Sequence, residues 1–302
     1  MTSSVVEIGG HRLELTHLEK VLYPQAGFTK AHVIDYYRRV APTLLPHLKD
    51  RPVTLKRYPD GVEGSFFYEK QCPPYRPSFV RTAPVYSETR GKDIDYCVLD
   101  SLPSLVWAAN LADLELHTFL HRKGDVSRPD GLVFDLDPGE GTDIVDCCRL
   151  GLRVRDLFDE LGLVALAKTS GSKGLQVMVP LNTPTTYEET KPFARAVGEI
   201  LERETPETVT TNMSRSERPG RVLVDWSQND DHKTTVCAYS LRAKAFPTVS
   251  TPVTWEEVEA VARSGEAARM RFLVEDVLER VEEKGDLWRP ALDLEQALPV
   301  LS

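Results

Sequence analysis

The stretch Val133-Phe134-Asp135-Leu136-Asp137-Pro138-Gly139-Glu140-Gly141 joins an apolar run, two aspartates one residue apart and a Pro-Gly turn. Residues i and i+2 of a β-strand point to the same face, so the pattern predicts that Asp135 and Asp137 project side by side. Two such carboxylates repel each other unless a cation lies between them, and hard oxygen ligands suit Mg²⁺ or Mn²⁺. The alternative is a pair of exposed aspartates that lead into a turn, because aspartate favours turns.

A second short run of strand type, Val222-Leu223-Val224-Asp225-Trp226, carries a carboxylate near its end. Three aspartates on two strands could hold a pair of metal ions about 4 Å apart, the arrangement used for in-line phosphoryl transfer. The second run therefore strengthens the prediction of a metal site at Asp135, Asp137 and Asp225.

The composition is that of a soluble globular protein, and no stretch approaches the ~20 apolar residues of a membrane span. Residues 1–7 lack the basic and apolar regions of a signal peptide. The five cysteines are odd in number and form no C-x-x-C pair, so reduced thiols are a better interpretation than disulfides or zinc ligands. These features predict a cytoplasmic protein without a membrane partner.

The charge is unevenly distributed along the chain. The formal net charge of −9 argues weakly against a nucleic-acid partner. Residues 1–57, however, hold nine Lys/Arg and five Asp/Glu, a net of +4, whereas residues 253–302 hold six Lys/Arg and twelve Asp/Glu, a net of −6. The asymmetry is typical of a local phosphate-binding face on an acidic body, although a solvated surface is the ordinary interpretation of any single lysine.

The N-terminal third contains two lysines of interest. Residues 5–15 alternate around a Gly-Gly pair and predict a hairpin, residues 17–22 predict a short helix, and residues 30–48 predict an amphipathic helix. Lys20 and Lys30 thus lie at or near helix starts, where backbone N–H groups favour an anion such as phosphate.

Aromatic residues follow a basic strand. Residues 53–58 predict a strand that carries Lys56, and residues 65–70 predict another. Neighbouring residues of a strand point to opposite faces, so at least one of Phe66 and Phe67 is expected in the core. The other could stack on a base, although core packing of both is the default interpretation. Residues 72–93 are interpreted as a long loop.

The middle of the chain alternates between strands and helices. The patterns predict strands at 94–99, 114–121, 163–168, 175–179 and 234–241, helices at 102–112, 144–161 and 187–204, and polar loops at 122–130 and 205–220. Two acidic helices after residue 255 are expected to cover the sheet. The loop Thr169-Ser170-Gly171-Ser172-Lys173-Gly174 suits a triphosphate, and a plain hairpin turn is the alternative.

Taken together, the aspartate stretch, the Thr169–Gly174 loop and Val224-Asp225-Trp226-Ser227-Gln228-Asn229 resemble the primase–polymerase domain of bacterial ligase D, a branch of the archaeo-eukaryotic primase superfamily. Lys20-Val21-Leu22-Tyr23-Pro24, Lys56-Arg57 and Tyr239-Ser240-Leu241-Arg242 match it too. The resemblance covers roughly residues 10–290. No ligase-type adenylation motif or nuclease region is found, so a stand-alone version is expected.

The resemblance implies a role for each matched residue. Asp135, Asp137 and Asp225 would be the catalytic, metal-binding carboxylates. The nucleotide would be held by Lys56, His117, Ser170, Lys173, Gln176 and Arg242. DNA would be bound by Lys20 and Lys30 at a 5′-phosphate, by Phe66 and Phe67 at the template, and by Arg218 near the primer terminus. At position 176 the family usually has a histidine, and the glutamine can donate a hydrogen bond to phosphate but carries no charge.

The resemblance also implies the fold and the reaction. The fold would be α/β and archaeo-eukaryotic primase-like, with twisted mixed or antiparallel sheets flanked by helices around a catalytic cleft. Residues 1–302 would form one domain, with an N-terminal DNA-binding subregion at 1–60, a catalytic core at 94–250 and C-terminal acidic helices at 251–302.

The expected reaction is template-directed addition of an NTP or dNTP to a DNA 3′-OH at a gap or end with a 5′-phosphate, with Mn²⁺ or Mg²⁺ as cofactor. The expected setting is gap filling and non-homologous end joining by a monomer at the nucleoid, with a DNA ligase and bacterial Ku as partners. Two alternatives stay open: a DNA-end-binding module with weak catalysis because of Gln176, and a metal-dependent nuclease, since three carboxylates serve hydrolysis equally well.

Overall fold

The computed structural model describes residues 3–299. The helices are α1 (Lys30–Leu48), α2 (Leu102–Asn110), α3 (Ile144–Glu160), α4 (Tyr187–Glu204), α5 (Trp255–Ser264), α6 (Val274–Lys284) and α7 (Pro290–Asp293). The strands of the first part of the chain are β1 (Ser3–Ile8), β2 (His11–Thr16), β3 (Val21–Tyr23), β4 (Phe28–Thr29), β5 (Val53–Arg57), β6 (Phe67–Glu69), β7 (Arg81–Ser87), β8 (Lys92–Val98), β9 (Asp113–Thr118), β10 (His121–Arg122) and β11 (Asp125–Pro129). The later strands are β12 (Gly131–Pro138), β13 (Leu166–Thr169), β14 (Leu175–Pro180), β15 (Val209–Thr210), β16 (Val222–Asp225), β17 (Thr235–Val236), β18 (Leu241–Ala243), β19 (Pro247–Val249) and β20 (Pro252–Val253).

The chain divides into two compact units. Unit 1 comprises the described residues up to 126, together with 234–249 and 273–285, and unit 2 comprises 127–233, 250–272 and the described residues from 286 onward. Each unit has a six-stranded sheet and helices, so the predicted mixed α/β class is confirmed. Within residues 3–299 no helix is both long and apolar enough to span a bilayer.

Unit 1 is built on a sheet of strand order β17-β9-β5-β8-β7, with β6 paired to β5. The buried stripe of α1 includes Val33, Tyr37 and Val40, as the 3.6-residue period predicts. The hydroxyl of Tyr37 donates to the carbonyl oxygen of Leu114 at 2.8 Å, which fixes the helix to β9.

Unit 2 is built on a sheet of strand order β15-β16-β12-β14-β13-β20, in which only β15 and β16 are parallel. One face carries the apolar core: Phe134 and Leu136 of β12 and Val224 of β16 pack there with residues of α3, α4 and α5. Alternation along each strand places the intervening residues, including the predicted carboxylates, on the opposite face.

Four sequence predictions about local structure are wrong. Residues 17–20 form a turn and residues 21–22 begin β3, so the predicted short helix is absent. The predicted loop 72–93 contains strand β7 and the first two residues of β8. The polar segment 122–130 contains the end of β10 and all of β11, which form a hairpin. The two acidic helices do not cover one sheet, because α5 packs on the core of unit 2 whereas α6 lies against α1 and β19 in unit 1.

The cysteine prediction is also wrong for one pair. Cys72 and Cys97 form a disulfide with their Cα atoms 4.9 Å apart, and Cys147, Cys148 and Cys237 are free and buried. The segment around Cys72 runs beside β8, since its backbone N–H donates to the carbonyl oxygen of Asp95 at 2.7 Å. Side-by-side packing of two segments distant in sequence brings the sulfurs together, and no local spacing signals it.

Candidate functional sites

Three aspartates converge on one face of the unit 2 sheet. In the antiparallel register of β12 and β16, Asp135 lies directly opposite Asp225. Asp137 follows two residues later on the same face of β12. The juxtaposition predicted from the two short runs is therefore present in the structure.

The row of polar residues continues across two more strands. Gln176 of β14 is the cross-strand partner of Asp135, and Lys168 of β13 is the partner of Gln176. Directly opposed residues share a face, so Asp225, Asp135, Gln176 and Lys168 form one row across four strands. Lys168 is buried and donates to the hydroxyl oxygen of Ser250 at 2.7 Å.

The electrostatics of this row favour a cation. Burial, and then the carboxylates of Asp137 and Asp225, raise the pKa of Asp135 to about 7, although Lys168 and a hydrogen bond from Gln176 act in the other direction. Asp135 Oδ1 is buried and has no hydrogen-bond partner. A hard cation would satisfy this oxygen and relieve the repulsion between the carboxylates, so the donor set fits Mg²⁺ or Mn²⁺.

The spacing of the aspartates differs from that of a tight single-ion cage. Among residues 3–299, the acidic and histidine side chains whose metal-ligating atoms all lie within 4.8 Å of one another are Asp230, Asp231 and His232, rather than the three converging aspartates. That turn already pairs internally and with Lys191, and acidic turns of this kind are common. The wider spread of Asp135, Asp137 and Asp225 is compatible with the pair of ions predicted from the sequence.

Asn229 is a buried clamp that sequence reasoning missed. Its Oδ1 accepts from Val133 N at 2.8 Å, and its Nδ2 donates to Val133 O at 2.7 Å and to Trp226 O at 2.8 Å. The register of β16 with β12 stops at Asp135, so the Asn229 amide takes the place of a neighbouring strand two residues before that carboxylate. Asp225 is held in the same turn, because its oxygens accept from Ser227 and Gln228.

The predicted phosphate loop packs against the carboxylate strand. Ser170 accepts at Oγ from the backbone N–H groups of Ser172 (3.2 Å) and Gly174 (3.1 Å), which closes the turn. A Cβ at Gly174 would overlap the carbonyl oxygen of Leu136 and lie 3.3 Å from Asp137 Oδ1. Glycine is thus required for this close approach, and Lys173 is left exposed on the loop.

The basic loop lies on the turn that follows Asp137. Gly139 N donates to Arg221 O at 2.9 Å, and Gly220 N donates to Glu140 O at 2.7 Å. A Cβ at Gly139 would overlap the carbonyl oxygen of Arg218. The structure therefore brings Arg218, predicted from the family resemblance, to the aspartate turn.

Three predicted nucleotide-binding residues of unit 1 converge on Glu115, which sequence reasoning had not assigned. Lys56 Nζ lies 3.2 Å from Glu115 Oε1, whereas His117 Nε2 and Arg242 Nε lie 3.0 and 3.2 Å from Oε2. Burial opposes ionisation, but the His117 hydrogen bond and the charges of Arg242 and Lys56 hold the pKa of Glu115 well below its ordinary value. Burial lowers the pKa of His117, and Glu115 only partly offsets this effect.

Both adjacent phenylalanines are exposed, so the prediction that at least one lies in the core is wrong. Phe66 precedes β6 and is 50% exposed, and Phe67 is 44% exposed. Each packs against a cation instead: Lys56 Nζ lies 4.7 Å from the Phe66 ring centroid, and the Arg57 guanidinium carbon lies 5.2 Å from that of Phe67. Exposed rings beside cations are typical of surfaces that stack on nucleic-acid bases.

Lys20 and Lys30 lie together. Lys30 N donates to Lys20 O at 2.9 Å, and Lys20 Nζ pairs with Asp60 at 2.8 Å. Burial, and then the nearby charges of Lys20 and Arg57, lower the pKa of Lys30 to about 8. Lys30 begins α1, as predicted, whereas Lys20 follows a turn and precedes β3, so its predicted place near a helix start is wrong. An anion here would relieve the repulsion between the two ammonium groups.

Comparison with known proteins identifies relatives along most of the chain. The family described as LigD, primase-polymerase domain, matches residues 29–288. The multifunctional non-homologous end joining protein LigD of Mycolicibacterium smegmatis is 40% identical over 281 residues, which is 92% of this chain and 36% of that protein. The bifunctional non-homologous end joining protein LigD of Bacillus subtilis is 32% identical over 276 residues, 91% of this chain and 43% of that protein.

A solved structure is also similar. The polymerase domain from Mycobacterium tuberculosis ligase D in complex with DNA has 38% sequence identity and a TM-score of 0.87, with 93% of this chain and 98% of that chain covered. The chain thus spans less than half the length of these curated relatives but nearly all of the solved polymerase domain. The family match extends over both units and contains all three aspartates, and on this basis the chain belongs to the LigD primase-polymerase domain family.

Proposed function

We propose that this chain is a nucleotidyltransferase that adds NTPs or dNTPs to a DNA 3′-OH under the direction of a template, at gaps or ends that carry a 5′-phosphate, during end-joining repair. Family membership and the end-joining names of its relatives support the proposal. The observation that carries it is the register of β12 and β16, which sets Asp135 opposite Asp225 with Asp137 on the same face.

The proposed cofactor is Mn²⁺ or Mg²⁺, held by Asp135, Asp137 and Asp225. Bound there, it would activate the attacking 3′-oxygen and stabilise the charge that develops on the triphosphate. The chain's own contribution is a row of carboxylates whose positions are set by strand register, by the Asn229 clamp and by the Ser227 and Gln228 hydrogen bonds to Asp225.

Other residues are proposed to bind the substrates. The nucleotide phosphates bind to Lys56, His117, Arg242, Ser170 and Lys173. A 5′-phosphate of the DNA binds to Lys20 and Lys30. The rings of Phe66 and Phe67 stack on the template. Arg218 is proposed to act near the primer terminus, and a DNA ligase and bacterial Ku are the proposed partners.

The test is extension of a primer across a gapped, 5′-phosphorylated duplex with Mn²⁺ or Mg²⁺ and each NTP or dNTP. Asp135→Ala, Asp137→Ala and Asp225→Ala are each expected to abolish extension while DNA binding persists. Asp156→Ala is the control, because Asp156 is an exposed carboxylate of unit 2 that pairs with Arg155 on α3. Near-normal turnover by Asp225→Ala would refute its place in the site.

The same assay separates the proposal from its alternatives. Degradation of the duplex without extension would identify a nuclease, and binding without either reaction would identify an end-binding module. Both outcomes refute the polymerase proposal, whereas metal-dependent extension that follows the template sequence supports it.

A further inference from the structure

We infer that Glu115 is the positioning residue of an anion-binding cluster in unit 1, formed by Lys56, His117 and Arg242 around its carboxylate. The inference deepens the proposed function and rests on it, since the anion is the triphosphate of the incoming nucleotide. Glu115 is only 1% exposed, so it reaches the nucleotide through its three partners.

Three hydrogen bonds and an ion pair from the chain itself surround the Glu115 carboxylate. Oε1 lies 3.2 Å from Lys56 Nζ and accepts from Ala243 N at 3.0 Å. Oε2 lies 3.0 Å from His117 Nε2 and 3.2 Å from Arg242 Nε. An ionised carboxylate offers about four acceptor sites, of which three take hydrogen bonds here, and Arg242 adds an ion pair. Glu115 is thus committed to groups of the chain itself rather than to a metal ion or a nucleotide hydroxyl.

The cluster brings together segments that are far apart in the sequence. Lys56 is on β5, Glu115 and His117 are on β9, and Arg242 is on β18. In the register of β5 with β9, Lys56 is the direct cross-strand partner of Glu115. The cations would repel one another at these distances without a central negative charge, so Glu115 permits their close grouping.

Net charge indicates that the assembled cluster attracts anions. Lys56 and Arg242 contribute two positive charges and Glu115 one negative charge, so the cluster is positive even when His117 is neutral. Lys56 is restrained further by aromatic rings, with its Nζ 5.3 Å from the Tyr58 centroid and 4.7 Å from that of Phe66. Side chains held in place before binding lose less conformational entropy when the anion arrives.

Glu115→Gln separates positioning from simple attraction. Deletion of a negative charge makes the cluster more positive, so bulk electrostatics alone predicts tighter binding of a triphosphate. Loss of positioning predicts the opposite: a KM for the nucleotide raised at least tenfold, with kcat changed much less. The conservative Glu115→Asp, which keeps the charge but shortens the side chain, should have an intermediate KM.

The pKa of His117 provides a readout independent of turnover. Since the Glu115 carboxylate raises the pKa of His117, Glu115→Gln should lower it, as measured by NMR titration of the imidazole signals. Glu69→Gln is the matched control, because Glu69 lies in the same sheet and pairs with Arg57 at 2.8 Å instead of with a cluster residue. It should leave both the KM for the nucleotide and the pKa of His117 unchanged.

The outcomes are distinguishable from failure of the proposed function. A wild-type protein that neither binds nor incorporates nucleotides refutes the proposed function itself. If the wild-type protein binds and incorporates nucleotides, and Glu115→Gln binds them as tightly as the wild type or more tightly, the inference alone is overturned. If Glu115→Gln does not fold, Glu115→Asp decides the question, and an unchanged KM in that variant overturns the inference.

Discussion

Asn229→Ala should loosen β12, the strand that carries two of the proposed catalytic aspartates. The wild-type amide makes three hydrogen bonds, two of them to the backbone of Val133, and Asn229 is fully buried. Each neutral hydrogen bond contributes roughly 1 kcal/mol net, and a buried group left unpaired costs roughly 1–3 kcal/mol. We therefore expect the free energy of opening of β12 around Val133 to fall by about 3 kcal/mol.

Native-state hydrogen exchange of a peptide covering residues 131–138 measures this free energy directly. A loss of about 3 kcal/mol corresponds to roughly 100-fold faster exchange, since 1.4 kcal/mol is a factor of ten. Extension activity should fall by about 100-fold as well, the usual cost of a displacement near 1 Å at a reacting group. The fall should appear in kcat, because the proposed nucleotide-binding residues are untouched.

The control uses a second side-chain amide in the same unit, that of the half-buried Asn182. Asn182 Nδ2 donates to the carbonyl oxygens of Ala291 (3.1 Å) and Leu294 (2.7 Å), near α7. Its φ of +51° is left-handed, so Asn182→Gly removes the hydrogen bonds without adding backbone strain. In this variant, amide hydrogens around α7 should exchange faster, whereas the hydrogen exchange of β12 and the extension activity should stay as in the wild type. Unchanged β12 exchange in Asn229→Ala would refute the clamp.

Three further predictions concern other parts of the chain. Lys20→Ala and Lys30→Ala should each remove the preference for a 5′-phosphorylated gap. In the wild type this preference should weaken as the pH rises through 8, because Lys30 then loses its charge. Equal discrimination between phosphorylated and unphosphorylated gaps at pH 7 and 9 would contradict the assignment. Gln176→His should lower the KM for the nucleotide roughly 5- to 30-fold, and more at mildly acidic pH, because a cationic imidazole adds about 1–2 kcal/mol of phosphate binding. Single-nucleotide extension measures this KM, and an unchanged value would argue against the prediction. Replacing Cys72 and Cys97 with serine should lower the unfolding free energy by about 3 kcal/mol, as expected when a loop of this length is no longer closed. In urea unfolding, the wild type treated with reductant should match the variant. A wild-type stability that does not respond to reductant would be inconsistent with the disulfide.

The sequence predicted elements well where burial alone determines the pattern. Helices α1, α3 and α4 carry apolar stripes at the 3.6-residue period, and the structure begins and ends them within a residue or so of the prediction. Strands β7 and β11 were missed because one lies at a sheet edge and the other in a two-stranded hairpin. Such strands keep many polar side chains, so their composition is that of a loop.

The candidate sites were predictable only where chemistry is encoded locally. Asp135 and Asp137 are two residues apart, and this spacing alone places both on one face. Glu115 and Lys168 gave no such signal, because an alternating charged residue on a strand is ordinarily solvated, and a periodic pattern cannot distinguish a solvated charge from a buried, paired one.

The partners that make such burial possible come from distant segments. Ala243 donates to Glu115 from 128 residues away, Ser250 accepts from Lys168 across 82 residues, and Asn229 binds Val133 across 96. A buried charge is tolerated only when such partners are in place, so these residues can be recognised only after the chain has folded. The same dependence makes Asn229 and Glu115 informative to mutate, because their variants remove long-range contacts and leave the proposed ligands of metal and nucleotide chemically intact.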